Sequence, residues 1–540
     1  MTAAEARLQP LSRTGHRRPT SPTRGLLRAL AAVPVAAILV MQAVMSFRLL
    51  TITGASGDEA LYIYSGHQLI HELWHGGGSP YYENYFSGAP VIYPALAAML
   101  DHVGGLTLVR AVSGVFMLIA TGLLFATARR LFGYWPGVIA AGLFAALGIT
   151  QGLGAYATFD AMALMLMAGA AYCAVRAASN ARWLLAIPVV LLVANATKYA
   201  SVLFDPVVIM LAALTLRAGG WRRVGHRAAI LASVTASLLA IVVTLAGTAY
   251  LHGILFTTLD RKTGTGVLNL NPADTSAIFM FSWNRIGLVV LFGVLSMILA
   301  LVIPGERSSL PLLALFVVAG LLTTLEALRL HDITSVNKHD DFGVWFTALA
   351  AGYALARGAE LVRSHYARAM WAISALVGVS IALHFYGNHR PIDTAANMTG
   401  SGQIVPYLKV NSSDRYLLGG RLADVILYDF RLTIPWPRVS NDNYVKYPIP
   451  GRGGNAGGSS PGRICDAPAP GCVYLRGPAA ARAAIRAHWF AVVSFIGQNQ
   501  LPIDQLELDT VRTTPGYLLV STAGGPTFIY VPDFPNGEAG

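Results

Sequence analysis

Charge is scarce in this chain: Asp, Glu, Lys and Arg make up 12% of its 540 residues, about half the share in a soluble globular protein. With a mean hydropathy of +0.54, that excludes an ordinary soluble domain. Cysteine is scarcer still, at three residues, Cys173, Cys465 and Cys472. A disulfide-built secreted scaffold is therefore excluded, although Cys465 and Cys472 are close enough in sequence to close one short bridge. No internal repeat is visible. The first apolar run lacks the small-residue cleavage pattern of a removed signal peptide, so it is expected to be retained as a span.

Long apolar runs are what the chain has instead. Stretches near the roughly twenty residues needed to cross a bilayer recur. About eleven are expected, near 29–50, 106–127, 134–150, 159–176, 183–197, 200–216, 227–250, 284–303, 310–328, 342–357 and 369–386. The net charge of +12 would suggest nucleic acid, but its distribution does not. Arg13, Arg17, Arg18, Arg24 and Arg28 crowd the N-terminal tail. Further arginines fall in every second loop: Arg129-Arg130, Arg176 and Arg182, Arg217 to Arg227, Arg307, and Arg357 to Arg368. That is the positive-inside pattern, so the basicity reports topology and no nucleic-acid partner is expected. The expected chain is a multi-pass plasma-membrane protein with a cytoplasmic basic tail (1–28) and a membrane domain (29–390). Its outside loops fall near 51–105, 251–283 and 329–341. A small extracytoplasmic α/β domain (391–540) follows, with short β-like runs and one helix over 477–488.

Chemistry-bearing residues gather in the outside loops. Asp58 and Glu59 follow the first span directly. Two acids there suit a base and an orienting group, or equally a helix cap. His71-Glu72-Leu73-Trp74-His75 fits the HExxH zinc pattern, with His67 on the same helix face. Three glycines end that helix at its second histidine, and no third ligand motif is evident. A helix along the membrane surface, with Leu61, Tyr64, Leu69 and Leu73 on its apolar face, explains the stretch better than a zinc protease. Glu83 lies in the segment that returns the chain to the second span. Lys338-His339 supply cations in the last outside loop, where topology does not account for them, and Asp260-Arg261-Lys262 stand in another. Lys198 sits at a span end and could be a snorkelling lysine or a substrate-binding cation.

In order, the Asp58-Glu59 pair, the Glu83- and Pro-containing return, Tyr156-Ala-Thr-Phe-Asp160-Ala-Met-Ala-Leu and Asn195-Ala-Thr-Lys198-Tyr-Ala resemble C-type glycosyltransferases. The resemblance is to the branch of protein O-mannosyltransferases and aminoarabinose lipid A transferases. It covers nearly the whole chain and rests on the order of the four segments. One departure stands out: the Lys-Pro-Pro return of the aminoarabinose transferases reads Gly88-Ala89-Pro90 here, so that lysine is missing. The resemblance implies a polytopic α-helical GT-C fold and a polyprenyl-phosphate sugar donor. The acceptor would be a cell-envelope glycan, lipid or protein on the outer face. It implies Asp58 and Glu59 as catalytic residues, and Glu83, Asp160, Lys198, Lys338 and His339 as substrate-binding ones. No cofactor is required, though these acids could coordinate a divalent cation. A transporter or lipid flippase is the alternative from another class. Against it stand the absence of matched repeats and the position of the acids in an outside loop.

Overall fold

In the computed structural model, the described residues are 22–48, 50, 55–76, 86–216, 220–258, 274–331 and 336–361. In the C-terminal part they are 416–418, 439–440, 446–448, 474–496, 502–521 and 527–532.

Thirteen helices form the described N-terminal part. They are α1 (Pro22–Phe47), α2 (Gly57–His75), α3 (Tyr93–Leu131), α4 (Tyr134–Ala146), α5 (Gly148–Leu153), α6 (Phe159–Ala177) and α7 (Trp183–Thr197). After a 3-10 turn over Tyr199–Phe204 come α8 (Asp205–Thr215), α9 (Trp221–Ala246), α10 (Thr248–Thr258), α11 (Thr275–Val302), α12 (Leu310–Leu330) and α13 (Val336–Leu361). Helices thus stand at ten of the eleven expected positions, and 369–386 lies outside the described residues. Among the described residues, five helices are long and apolar enough to cross a membrane: α3, α6, α9, α11 and α12 with its preceding turn. Four more apolar helices are shorter, among them α4 and α7.

Local sequence sets the breaks. Gly105, at φ 65°, divides α3 into a short arm, Tyr93–Val103, and a long one, Leu106–Leu131. Only glycine enters that region without steric cost. Small residues set the packing, because closely approaching backbones supply the dispersion contacts that hold helices together where the surroundings are apolar. Ala163, Ala168, Ala170, Ala171 and Ala174 of α6 are all fully buried. α13 is the central element, packed against α4, α11 and α12. Trp345, Phe346 and Leu349 fill its surroundings, and the Trp345 indole donates to the Ala120 carbonyl of α3 at 3.0 Å. Gly352 backs onto the Pro136 carbonyl of α4, leaving no room for a side chain.

α2 differs from the surface helix expected of it. Its first half, through Gly66, is buried, and Tyr64 lies inside the protein, accepting a 2.8 Å hydrogen bond from the Gln68 amide. Gly66 makes this possible by letting α2 pack directly on the Pro94 carbonyl. Only the second half projects, with Leu73 77% and Trp74 81% exposed.

In the C-terminal part the strands are β1 (Tyr416–Leu418), β2 (Val439–Ser440), β3 (Lys446–Pro448), β4 (Tyr474–Arg476), β5 (Val492–Ile496), β6 (Tyr517–Ser521) and β7 (Thr527–Pro532). Five form a mixed sheet in the order β2-β1-β5-β7-β6, and β3 pairs with β4. β1 is parallel to β2 and β5, whereas β7 is antiparallel to β5 and β6. Two helices accompany the sheet, α14 (Gly477–Arg486) where a helix was expected and α15 (Pro502–Thr513) where none was. Ala480, Ala484, Ile485, Leu508 and Val511 bury their apolar faces with Leu417 and Val493 of the sheet. Cys173 is buried and free, and Cys465 and Cys472 lie outside the described residues.

Candidate active site

Four charged side chains meet at one end of the bundle. Asp58 is in the first turn of α2, Asp160 in the first turn of α6, and Lys338 in the first turn of α13. Lys198 is the residue at which α7 ends. Lys338 pairs with Asp58 across 280 positions of sequence, and Lys198 pairs with Asp160 across 38. The pairs are electrostatically joined, since Lys198 feels the charges of Asp160, Lys338 and Asp58 together. The outer pair is partly open, with side chains 27% and 23% exposed; the inner pair is buried.

The inner pair stands on an aromatic wall. The Lys198 ammonium lies 4.6 Å from the centroid of Phe159, close enough for a cation–π attraction. Tyr62 of α2 packs on Phe159 at 4.5 Å and on Phe86 at 5.4 Å. Lys198 is thus a buried ligand of Asp160 and not a snorkelling residue. The other oxygen of Asp160 has no hydrogen-bond partner among the described residues.

Glu59 turns the other way. It is buried, and both its oxygens are engaged by Arg110 of α3 in a bidentate pair at 2.7 Å. The backbone N–H of Ala157 donates to it at 2.7 Å and that of Ser56 at 2.8 Å. Arg110 also donates to the Leu50 carbonyl at 2.8 Å. Sequence reasoning grouped Glu59 with Asp58 as catalytic, but the structure separates their surroundings. Consecutive helix residues point about 100° apart, and only Asp58 lies on the open side. Touching a substrate would require Glu59 to give up four hydrogen bonds. Its contacts instead fix the start of α2 against α3 and the segment leading into α6, which sets the positions of both Asp58 and Asp160.

His339 is partly buried beside Lys338 on α13. Glu83 and Asp260-Arg261-Lys262 lie outside the described residues. In the HExxH stretch, His67 is held by Asp101 at 2.7 Å and the rings of His71 and His75 stack at 4.3 Å. No third metal-ligating side chain converges with them among the described residues. Sequence reasoning passed over several polar residues. Asp340 accepts hydrogen bonds from Ser282 and Thr323 at 2.5 and 2.9 Å, and Asp341 accepts one from Thr150 at 2.7 Å. Arg110 could have been found, because a lone arginine within an apolar run implies a buried partner. Asp340 and Asp341 gave no such signal, since next to Lys338-His339 they look like a solvated charged loop.

Comparison with known proteins bears on this arrangement. Residues 90–246 match the sequence profile of the dolichyl-phosphate-mannose-protein mannosyltransferase family. No curated protein matches the sequence. The structure aligns with ArnT from Cupriavidus metallidurans bound to undecaprenyl phosphate, over 93% of this chain and 98% of that one, at 13% identity and a TM-score of 0.52. The same protein in its apo state aligns over 94% and 98%, at 13% identity and a TM-score of 0.50. The Archaeoglobus fulgidus oligosaccharyltransferase in its apo form aligns more weakly, over 74% and 64% at 14% identity; its TM-score of 0.43 lends no weight. In fold the chain is similar to the C-type membrane glycosyltransferases, and over residues 90–246 its sequence is similar to the dolichyl-phosphate-mannose-protein mannosyltransferase family.

Proposed function

We propose that this enzyme moves a sugar from a polyprenyl-phosphate donor to a hydroxyl of a cell-envelope acceptor on the outer face of the membrane. The observation that carries the proposal is the joined pair of Asp–Lys contacts, Asp58–Lys338 and Asp160–Lys198, at one end of the bundle. A phosphate needs fixed positive charge, and two lysines together with the N-terminal turns of α2, α6 and α13 supply it. A base needs an acid on the open side, which is Asp58.

Asp58 takes the proton of the acceptor hydroxyl as its oxygen bonds to the anomeric carbon. The bond from that carbon to the phosphate oxygen breaks, and its electron pair leaves with the polyprenyl phosphate. A single displacement of this kind inverts the anomeric configuration. Negative charge grows on the leaving phosphate, where Lys198, Lys338 and His339 stabilise it. Asp160 holds Lys198 in place, and Glu83 orients the acceptor or sugar hydroxyls. Base and phosphate site adjoin because Lys338 touches the first while serving the second. The undecaprenyl phosphate bound to ArnT supports the donor class.

The test is transfer from a polyprenyl-phosphate sugar by purified Asp58→Asn, with polyprenyl-phosphate binding measured in parallel. Turnover is expected to fall by about 10²–10⁴, the usual effect of losing a general base, while binding persists. Near-normal turnover would reduce Asp58 to a helix-start residue and remove the proposed base.

A further inference from the structure

The chain does not run straight from α7 into α8. Lys198 takes an extended conformation (φ −151°, ψ 121°), and the 3-10 turn follows. Backbone that leaves the helical ladder amid apolar helices must have its polar groups satisfied by protein. Here the Lys198 carbonyl is met by a buried side chain that belongs to a series. The Asn195 amide donates to Asp205 at 2.7 Å. The Ser201 hydroxyl lies 2.6 Å from the side-chain Oδ1 of Asn195 and 2.9 Å from the main-chain carbonyl oxygen of Lys198 itself. Its single proton is shared between these two acceptors.

The opposite side is held by the segment before α3. The N–H of Tyr199 donates to the Ser87 carbonyl and that of Ala89 to the Ala196 carbonyl, both at 2.6 Å. Gly88 lies between them against the Thr197 carbonyl, where any Cβ would overlap that oxygen. The position at which the resembled family's return segment departs from this one thus has no room for a side chain. The cation beside it is Lys198.

We propose that Asn195, Ser201 and Asp205 are positioning residues that aim the Lys198 ammonium at the donor phosphate. The proposal rests on the reading of Lys198 as a phosphate ligand. Capping of α8 would explain Asp205, which opens that helix ahead of Pro206. It does not explain why Asn195 bridges Asp205 to Ser201, or why Ser201 reaches the Lys198 carbonyl. Three polar groups buried among apolar helices are unfavourable unless bonded. This chain bonds one Asp205 oxygen to Asn195, Asn195 to Ser201, and Ser201 to the backbone of Lys198, whose side chain enters the site; the other Asp205 oxygen has no hydrogen-bond partner among the described residues.

A double-mutant cycle on the full-length detergent-purified protein tests this, with undecaprenyl phosphate affinity and thermal midpoint measured for each variant. Ser201→Ala is the mild variant and Asn195→Ala the stronger one, each made in wild type and in Lys198→Ala. Coupled residues give non-additive effects, so Ser201→Ala is expected to weaken binding about 5- to 10-fold when Lys198 is present and by less than about twofold when it is absent. The change in thermal midpoint should be the same in both backgrounds, and Ser201→Thr should restore affinity. Equal weakening in both backgrounds, or none in wild type, would make the network purely structural and overturn the proposal. A Lys198→Ala protein with unchanged affinity would instead remove the phosphate role of Lys198 on which the proposal stands.

Discussion

At the scale of single residues, Asp58 and Glu59 are neighbours in sequence with opposite surroundings. Asp58 meets a lysine near the open end of the bundle, whereas Glu59 is sealed against Arg110 with four hydrogen bonds to its oxygens. Removing one partner of a buried, hydrogen-bonded ion pair leaves an uncompensated charge and costs about 3–5 kcal/mol. Glu59→Gln keeps the shape of the side chain but strands the guanidinium, so loss of stability is expected to dominate. In a denaturation series on the purified protein, Glu59→Gln and Arg110→Met should each lower the midpoint markedly, and the double variant by less than the sum of the two. Additive losses would mean that the two side chains do not act as a unit.

At the scale of elements, α13 both packs the bundle and carries Lys338. Its glycines and alanines let neighbouring helices approach to backbone contact, as Gly352 does against Pro136. A methyl group there meets a carbonyl oxygen and not the end of a flexible side chain, so α4 and α13 must separate. Gly352→Ala is therefore expected to destabilise by about 1–3 kcal/mol, the usual range for overpacking. A lowered thermal midpoint, with undecaprenyl-phosphate affinity retained at a temperature where the variant is folded, is the expected result. An unchanged midpoint would show that the two helices slide apart without loss.

At the scale of the whole molecule, the arginine pattern gives an expected orientation. All four site charges are expected on the outer face, with the basic loops inside. A reporter fused at Arg222 should register the cytoplasmic side, and one fused after Tyr386 the outer side. Finding both on one side would contradict the expected topology and move the proposed donor site to the other leaflet. The sheet with α14 and α15 belongs to the part expected outside, where it would recognise the acceptor or cover the site.

Hydropathy alone determined that the chain is a helical membrane protein, and it marked ten positions at which the described residues hold helices, because water-to-lipid transfer acts on each residue independently of its partners. The spacing of turn residues and apolar runs likewise foretold α14 and most of the strands. The four-segment order pointed to a resemblance to the glycosyltransferases and to Asp58, Asp160 and Lys198, and the unexplained cations of the last outside loop pointed to Lys338. Partnership was decided only by the tertiary structure. Which helix face meets which depends on packing between distant segments, so Asp58 with Lys338, Glu59 with Arg110 and Asp341 with Thr150 could not be paired from sequence. For the same reason the sequence did not reveal that Glu59, expected in the site beside Asp58, is buried against Arg110. A polar side chain within an apolar run says that it needs a partner; only the fold says whether that partner is protein or substrate.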